Sequence, residues 1–437
     1  MFVLDRQAGR LEGRWLPAGA ALLAWQAIIR DDPQLPPLVA QPGLARAAYL
    51  SWQRLHDYGI PPEALDCGES LETDAFARWC RAYRRLLGER GWVDSAVAPA
   101  QVHPASALPG LELIGFDRLT PLQQALIERW AAAGVEIRRE ATPATPAASV
   151  GRVACLDPAA EIEAAARWAA QRLHGRADRR VAIVVADLAN RRDEVRRIVD
   201  RVLTPESGLT GGAAPESRSF ELAAARPLSE QPVVAAALDL LDAFVRPPDL
   251  AALSRLLRNP FVGGADSEGP ARGRLDARLR RYESPGFTLA ALERAAAERA
   301  CPELAKRLAA ARSVVSKWPE KALPSICTNL IFELVAALGW PGVAPGSAEH
   351  QAEQRWRSLV SELGACDEFT GRVGRAEALG LLREMAGQVL FEPQELRAPL
   401  LVIDAATCAG MRFDGLWVCG LDAARWPPPA TPDPFLP

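Results

Sequence analysis

Residues 157–203, DPAAEIEAAARWAAQRLHGRADRRVAIVVADLANRRDEVRRIVDRVL, contain the signals of a helix, a strand and a second helix in series. Asp157 followed by Pro158 predicts a helix start, because Asp caps exposed N–H groups and Pro suits the first turn. The stretch 179–188 is nearly all apolar, which is typical of a strand buried on both faces of a parallel sheet. With a further strand expected at 151–156, GRVACL, the pattern predicts a doubly wound α/β fold.

A similar strand–helix–strand series precedes this one. Residues 111–117, LELIGFD, form an apolar run that ends in Asp117, and Thr120 with Pro121 then begins a second helix. Ligands of parallel α/β sheets bind outside the carboxyl ends of the strands. Asp117 is therefore either the holder of a metal-bound water or a cap of the loop before Thr120.

The rest of the chain divides by composition. The first hundred residues carry apolar side chains at helical spacing, with one tryptophan in each helix, which predicts that Trp25, Trp52 and Trp79 pack in a helical core. We expect five parts. Residues 1–105 form a helical region, and residues 106–145 form the end of a first α/β domain. A second α/β domain has its first part at 150–215, a helical insert at 216–396 and its return segment at 397–437.

The composition excludes several kinds of chemistry. The 437 residues carry 51 Lys and Arg against 54 Asp and Glu, so the net charge of −3 excludes a uniformly basic nucleic-acid-binding protein. Only Lys306, Lys317 and Lys321 are lysines; none belongs to a Walker A loop, and none follows an acidic residue two positions earlier. We therefore predict no ATPase loop, no restriction-type nuclease motif and no catalytic residue in this chain.

Metal sites and membrane segments are not expected either. The eight cysteines and four histidines lack the paired spacing of a zinc site, so we predict reduced thiols and no metal centre. The sequence has no uninterrupted apolar run of about 18 residues and no signal-peptide pattern. We expect a cytoplasmic protein with no membrane partner.

Arginines cluster at 81–90, 189–201 and 274–282. Such clusters are commonly solvated helix faces that are balanced by acids. Within RLDARLRRY, Arg274, Arg278 and Arg281 follow the i, i+4, i+7 spacing and predict one basic helical face. This face is our candidate contact with a DNA backbone.

Several segments resemble superfamily 1 helicases of the UvrD, RecB and AddB kind. Residues 111–130, LELIGFDRLTPLQQALIERW, are similar to the AddB segment that stands where active helicases carry their Walker B strand. Residues 157–199 resemble the start of the second RecA-like domain, and 410–421, GMRFDGLWVCGL, resemble the late motif of that domain. Residues 226–244 and 256–262 match the opening of the family's helical insert. The pattern is most similar to the proteobacterial AddB-like group called "probable DNA repair protein", whose members carry a nuclease of the PD-(D/E)xK superfamily.

The resemblance implies an α/β fold with RecA-like, P-loop NTPase-type parallel sheets and large helical insertions. It assigns Asp117 to the Walker B-like strand end, and Gly410, Phe413, Asp414 and Gly420 to the late motif. It implies that DNA, as single strands or duplex ends, is a partner, together with a nuclease or helicase subunit. ATP and Mg²⁺ belong to family regions that are missing here, so we expect no cofactor in this chain.

These observations lead to one expectation and two alternatives. We expect a DNA repair and recombination protein that binds DNA during double-strand break processing, without ATPase or nuclease motifs of its own. Whether the protein is an enzyme stays open, because the family consists of ATP-dependent helicases and exonucleases. One alternative is a protein-interaction scaffold that keeps the helicase fold without DNA binding. The other is that this chain is the middle piece of an active ATP-dependent helicase-nuclease.

Overall fold

A computed structural model describes residues 13–35, 41–65, 70–103, 110–114, 116, 118–140, 149–176, 178–204, 220–223, 225–281, 288–342, 346–393, 398–408, 410–423, 425–426 and 432–436. Within these ranges the protein has a mixed α/β fold in which a parallel sheet accompanies many helices. None of the helices in the described ranges combines the length and apolarity needed to cross a lipid bilayer. Each described cysteine is a free thiol: Cys80, Cys155, Cys301, Cys327, Cys366, Cys408 and Cys419.

Amphipathic helices build the N-terminal region, and their apolar faces meet around three tryptophans. These helices are Ala18–Arg30, Gln41–Tyr58 and Leu71–Arg90, followed by the short helix Ala98–Gln101. The prediction for the tryptophans is confirmed, because Trp25, Trp52 and Trp79 are at most 3% exposed. The short strands Arg14–Trp15 and Trp92–Val93 pair in parallel beside them.

The next unit is the predicted strand–helix–strand series. Strands Gly110–Ile114 and Glu136–Glu140 pair in parallel, and helix Pro121–Ala132 connects them. Thr120 caps this helix as predicted: its Oγ1 accepts from the Gln123 backbone N–H, and the Gln123 side chain accepts from the Thr120 N–H. These strands form a separate two-stranded sheet.

The main sheet has four parallel strands: Gly415–Cys419, Val181–Val185, Leu400–Ile403 and Phe220–Ala223, in that spatial order. Every residue of Val181–Val185 is buried, as its apolar run predicts. Phe220–Ala223 lies in the segment that we expected to belong to the helical insert. Its sequence, FELA, is short and contains Glu221, so it lacks the continuous apolar run that marks the neighbouring strand.

Both helices that flank Val181–Val185 pack on the same face of the sheet. Helices Pro158–Leu173 and Leu188–Leu203 share one apolar core with Val181, Ile183 and Val185. The opposite face carries Ala182 and Val184 and is covered by side chains from residues 405–413. The short helix Ala405–Cys408 contributes to this second face, and the doubly wound arrangement stays a prediction. The expected strand at 151–156 is a largely exposed segment without regular structure.

The long segment between Phe220–Ala223 and Leu400–Ile403 is helical, and its core is continuous with the core of the N-terminal helices. Its helices are Pro232–Val245, Leu250–Arg258, Ala265–Arg281, Leu289–Glu298, Pro302–Lys317, Pro324–Ala337, Ser347–Glu362, Asp367–Thr370 and Arg375–Gln388. Two antiparallel strand pairs join parts of this segment: Arg226–Pro227 with Leu390–Phe391, and Lys321–Ala322 with Val373–Gly374. Gly19 marks the close approach of the two helical regions, because a Cβ there would lie 2.7 Å from the Met385 side chain.

Candidate functional site

The late-motif residues lie at opposite ends of the main sheet. Phe413 and Asp414 precede strand Gly415–Cys419 and therefore lie at its amino end, beside Arg180. The Asp414 N–H donates to the Arg180 carbonyl, and the Arg180 N–H donates to Asp414 Oδ2, each at 2.8 Å. The Arg180 guanidinium lies 5.9 Å from the centre of the Phe413 ring. These contacts join two strands at the edge where parallel α/β sheets rarely bind ligands.

Gly420 lies at the opposite, carboxyl end of the same strand. Its backbone N–H lies 3.1 Å from both carboxylate oxygens of Glu161, and its φ of 77° is in the left-handed region that glycine adopts without strain. Asp404 follows strand Leu400–Ile403, on the other side of Val181–Val185, and accepts from the Thr407 N–H at 2.7 Å. Gly410, with φ 77°, lies in the crossover between the strands. The structure thus does not bring the late-motif residues together.

Ion pairs link the loops at the carboxyl edge of the sheet. Arg191 contacts Glu194 at 2.9 Å and Asp187 at 3.6 Å. Arg425 lies 3.6 Å from Asp187 and also pairs with Asp422. Asp187, Glu194 and Asp422 are therefore paired with guanidinium groups. This arrangement stabilises the loops and leaves no isolated acid–base pair among these residues.

A second mixed-charge group lies near the end of strand Phe220–Ala223. Arg192 donates to the Leu222 carbonyl at 3.3 Å. Burial, and then the nearby Arg226 and Arg196, lower the pKa of Arg192 to about 10. Burial and the neighbouring Asp404 raise the pKa of the Glu392 carboxyl, against the opposing effect of Arg192. Arg192 is therefore charged at neutral pH, and these residues offer no set of metal ligands.

The described residues supply neither a metal centre nor an activated nucleophile. No group of three or more His, Cys, Asp or Glu side chains within the described ranges is placed to hold a metal ion. Burial, with neighbouring carboxylates, raises the pKa of the Cys366 and Cys419 thiols to about 12, so neither is a thiolate at neutral pH. Asp117, the predicted Walker B-like residue, lies outside the described residues.

The predicted arginine stripe lies on helix Ala265–Arg281. Arg274, Arg278 and Arg281 are all exposed, while an adjacent side of the helix packs into the protein through Ala271, Leu275 and Leu279. The i, i+4, i+7 spacing places the three guanidinium groups along one side of the helix. We call these three residues the arginine stripe.

The buried acids of this helix are engaged within the fold. Glu268 accepts from Arg272 and from the backbone N–H groups of Glu303 and Leu304, at 2.7 and 3.1 Å. Asp276, at 9% side-chain exposure, accepts from Arg280 at 3.2 Å and lies 3.5 Å from Arg258. These carboxylates bind groups on neighbouring helices, so they fix the helix in place.

The other arginine clusters are largely engaged in ion pairs. In the 81–90 cluster, Arg84 pairs with Glu63, and Arg90 pairs with Glu368 at 2.8 Å. In the 189–201 cluster, Arg191 is engaged as described above, and Arg196 lies 3.7 Å from Asp193. The stripe differs from these clusters in its spacing, which places three exposed arginines along one side of a helix.

Two features were missed by the sequence reasoning. A cavity of about 550 Å³ lies between helices Ala18–Arg30 and Leu71–Arg90, with Trp79, Trp92 and Phe369 among its lining residues. In addition, residues 432–436 pack onto the N-terminal helices, where Phe435 is 3% exposed. Both features depend on contacts between distant parts of the chain, and no local sequence pattern predicts such contacts.

The sequence matches no model of a known protein family. None of the curated proteins is detectably similar to it.

Proposed function

We propose that this protein binds DNA through the arginine stripe of helix Ala265–Arg281, as a helicase-nuclease-like subunit or fragment in double-strand break processing. The observation that carries the proposal is the exposure of Arg274, Arg278 and Arg281 along one side of this helix. DNA affinity arises largely from cationic side chains that neutralise phosphates. The overall charge of −3 restricts such binding to a local patch of this kind.

The dimensions of the stripe suit a nucleic-acid backbone. Seven residues separate Arg274 from Arg281, which is about 10 Å along a helix axis. Successive phosphates on one strand of a duplex are spaced by about 3.4 Å along the axis, so three arginines can reach about three phosphates. Arginine also suits phosphate because its planar guanidinium donates two hydrogen bonds at once.

The helicase relationship rests on the arrangement of the main sheet and on the quoted motifs. The main sheet consists of four parallel strands, and a long helical segment is inserted in the sequence between two of them, Phe220–Ala223 and Leu400–Ile403. This arrangement is compatible with a RecA-like domain that carries a helical insertion. In this proposal the chain contributes DNA contact and binds no cofactor, while a nuclease or helicase partner in the cytoplasm supplies catalysis.

A protein-interaction scaffold is the second candidate, and the cavity beside Trp79 favours it. Concave, largely apolar sites are common places for a ligand or a partner side chain to bind. One measurement distinguishes a scaffold without DNA affinity from a DNA-binding subunit. Hydrogen exchange of the free protein and of the protein with a single-stranded or duplex oligonucleotide locates any DNA contact.

The proposal predicts that DNA slows exchange in the segment that contains helix Ala265–Arg281. Exchange that slows only in other segments, or nowhere, would contradict it. Slower exchange confined to the residues around the cavity would favour a different surface altogether.

A further inference from the structure

Residues 432–436, with the sequence PDPFL, dock on the N-terminal helices through one charged and one aromatic side chain. The Ser51 hydroxyl donates to Asp433 Oδ1 at 2.7 Å, and the Arg54 guanidinium donates to Asp433 Oδ2. Phe435 stacks on Phe76 with ring centres 5.1 Å apart. The docked segment, which we call the PDPFL segment, therefore contacts residues that are more than 350 positions earlier in the chain.

The receiving surface consists of Ser51, Arg54, Phe76 and Trp79, and we call it the socket. Its aromatic part is held by contacts that do not involve the PDPFL segment. Trp79 donates its indole N–H to Asp32 at 2.7 Å, and Phe76 stacks on the fully buried Trp25 with ring centres 6.0 Å apart. A surface that is fixed by the helical core costs little to order when a peptide binds it.

The PDPFL segment contributes the features of a short linear recognition motif. It contains neither a helix nor a strand. The Phe435 N–H donates to Asp433 Oδ1 at 3.0 Å, which closes a tight turn around Pro434 and fixes the carboxylate relative to the aromatic ring. Phe435 contacts Trp79 edge-on at 5.8 Å, and Leu436 packs against the same core. Buried aromatic side chains are common anchors in peptide and protein recognition.

We propose that the socket is a peptide-binding site for an extended segment with an aspartate two positions before a phenylalanine, and that residues 432–436 of the same chain occupy it. The charge of Arg54 selects the carboxylate, and the faces of Phe76 and Trp79 select the aromatic ring. Because the bound segment belongs to the same chain, its high effective concentration keeps the socket filled. A free peptide of the same chemistry binds once the chain's own segment is disabled. This site is independent of the arginine stripe.

The test uses the full chain with Asp433→Ala and Phe435→Ala together, and a fluorescently labelled peptide of sequence PDPFL as the probe. Fluorescence anisotropy measures peptide binding to the double variant and to the unaltered chain. We expect the double variant to bind the peptide at least about tenfold more tightly, since short flexible linkages give effective concentrations near millimolar. Adding Arg54→Glu to the double variant should abolish binding, as should replacing the peptide's phenylalanine with alanine.

Equal binding to both chains would overturn the proposal, because the peptide would then bind elsewhere. A complete lack of binding by a folded double variant would also overturn it. Far-UV circular dichroism and thermal unfolding establish that the variants fold. If the double variant does not fold, Asp433→Asn with Phe435→Leu replaces it, and the same ratio of affinities decides. Analytical ultracentrifugation compares the unaltered chain with the double variant. If the unaltered chain is a dimer and the double variant is a monomer, the segment of a second copy occupies the socket. That result would contradict occupation within one chain.

Discussion

Asp414 and Arg180 join the amino ends of two neighbouring parallel strands through a reciprocal pair of hydrogen bonds, each 2.8 Å long. The resemblance to helicases assigned Asp414 to a functional motif. Its carboxylate instead accepts from a backbone N–H that would otherwise lack a partner at the edge of the sheet. This contact explains, in terms of strand pairing alone, why an aspartate suits this position.

Replacing Asp414 should therefore affect stability and leave DNA affinity unchanged. Asp414→Ala removes the acceptor of the Arg180 N–H and should lower the free energy of unfolding by about 1 kcal/mol. Asp414→Asn keeps a side-chain oxygen and should lose less. Urea unfolding measures both effects, and an equal loss in both variants would show that the hydrogen bond is not the cause.

The buried carboxylate of Asp94 should have a much larger effect. Asp94 is fully buried and accepts from the Trp52 indole N–H and the Tyr83 hydroxyl at 3.0 Å, and from the backbone N–H groups of Ala96 and Val97. Asp94→Ala leaves these buried donors without their acceptor, and each such group costs about 1–3 kcal/mol. We expect a loss of about 3 kcal/mol or more in the free energy of unfolding.

Tryptophan fluorescence during urea unfolding measures this loss, and Asp57→Ala, at an exposed position of a neighbouring helix, is the control. A loss below about 1 kcal/mol for Asp94→Ala would mean that the network around Asp94 contributes little.

His56 should make stability depend on pH near neutrality. Its side chain packs edge-on against Trp52 at 4.3 Å, and burial lowers its pKa despite the nearby Asp94 and Asp57. The folded state therefore keeps the imidazole neutral at pH values where the unfolded chain, with a pKa of about 6.5, takes up a proton. The free energy of unfolding should fall as the pH drops below about 6.5 and continue to fall until the folded pKa is reached.

Urea unfolding at several pH values between about 7.5 and 5.5 measures this dependence around the unfolded pKa. His56→Gln should flatten the curve, and His174→Gln, at an exposed site, should leave it unchanged. The same slope in His56→Gln and in the unaltered protein would refute the assignment.

The PDPFL segment should undock in acid. Asp433 is partly buried, which raises its pKa, but hydrogen bonds from Phe435, Ser51 and Arg54 outweigh this effect, and the net result is a lowered pKa. A carboxyl whose pKa is lower in the folded state stabilises that state above the unfolded pKa of about 3.9 and loses this contribution as the pH falls through the folded value.

The melting temperatures of the unaltered chain and Asp433→Asn should consequently differ at pH 6, and the difference should begin to shrink as the pH falls below about 4. If the difference between the two proteins stays constant down to about pH 3, the carboxylate of Asp433 does not provide the stabilisation.

The sequence supports some parts of this fold far better than others. The tryptophan spacing in the first three helices and the continuous apolar run at Val181–Val185 predict burial correctly, because each pattern is repeated over several turns or residues. The strand Phe220–Ala223 was not predicted, because it is short and owes its place to pairing with Leu400–Ile403, which is far away in sequence.

The candidate site divides in the same way. The spacing of Arg274, Arg278 and Arg281 predicts one helical face, and the structure places all three on an exposed face. The inward orientation of Asp276 was not predictable, since it depends on Arg258 and on packing against the preceding helix. The docking of Phe435 on Phe76 likewise depends on a contact between the two ends of the described chain.

The salt dependence of DNA binding shows whether the arginine stripe contacts phosphates. The measurement compares the unaltered protein, the variant Arg274→Ala/Arg278→Ala/Arg281→Ala, and a control in which the exposed Arg46, Arg85 and Arg294 are replaced with alanine. The two variants lose the same formal charge, so they differ only in where that charge was removed. Fluorescence anisotropy with a labelled oligonucleotide at several salt concentrations gives the affinity and its slope against salt.

We expect the stripe variant to lose at least about tenfold in affinity and its salt slope to fall by about 2–3, since each lost phosphate contact removes roughly 0.9 from the slope. The control should keep nearly the full slope of the unaltered protein. Equal affinities and slopes for the stripe variant and the unaltered protein, or equal losses in both variants, would contradict DNA binding through this helix.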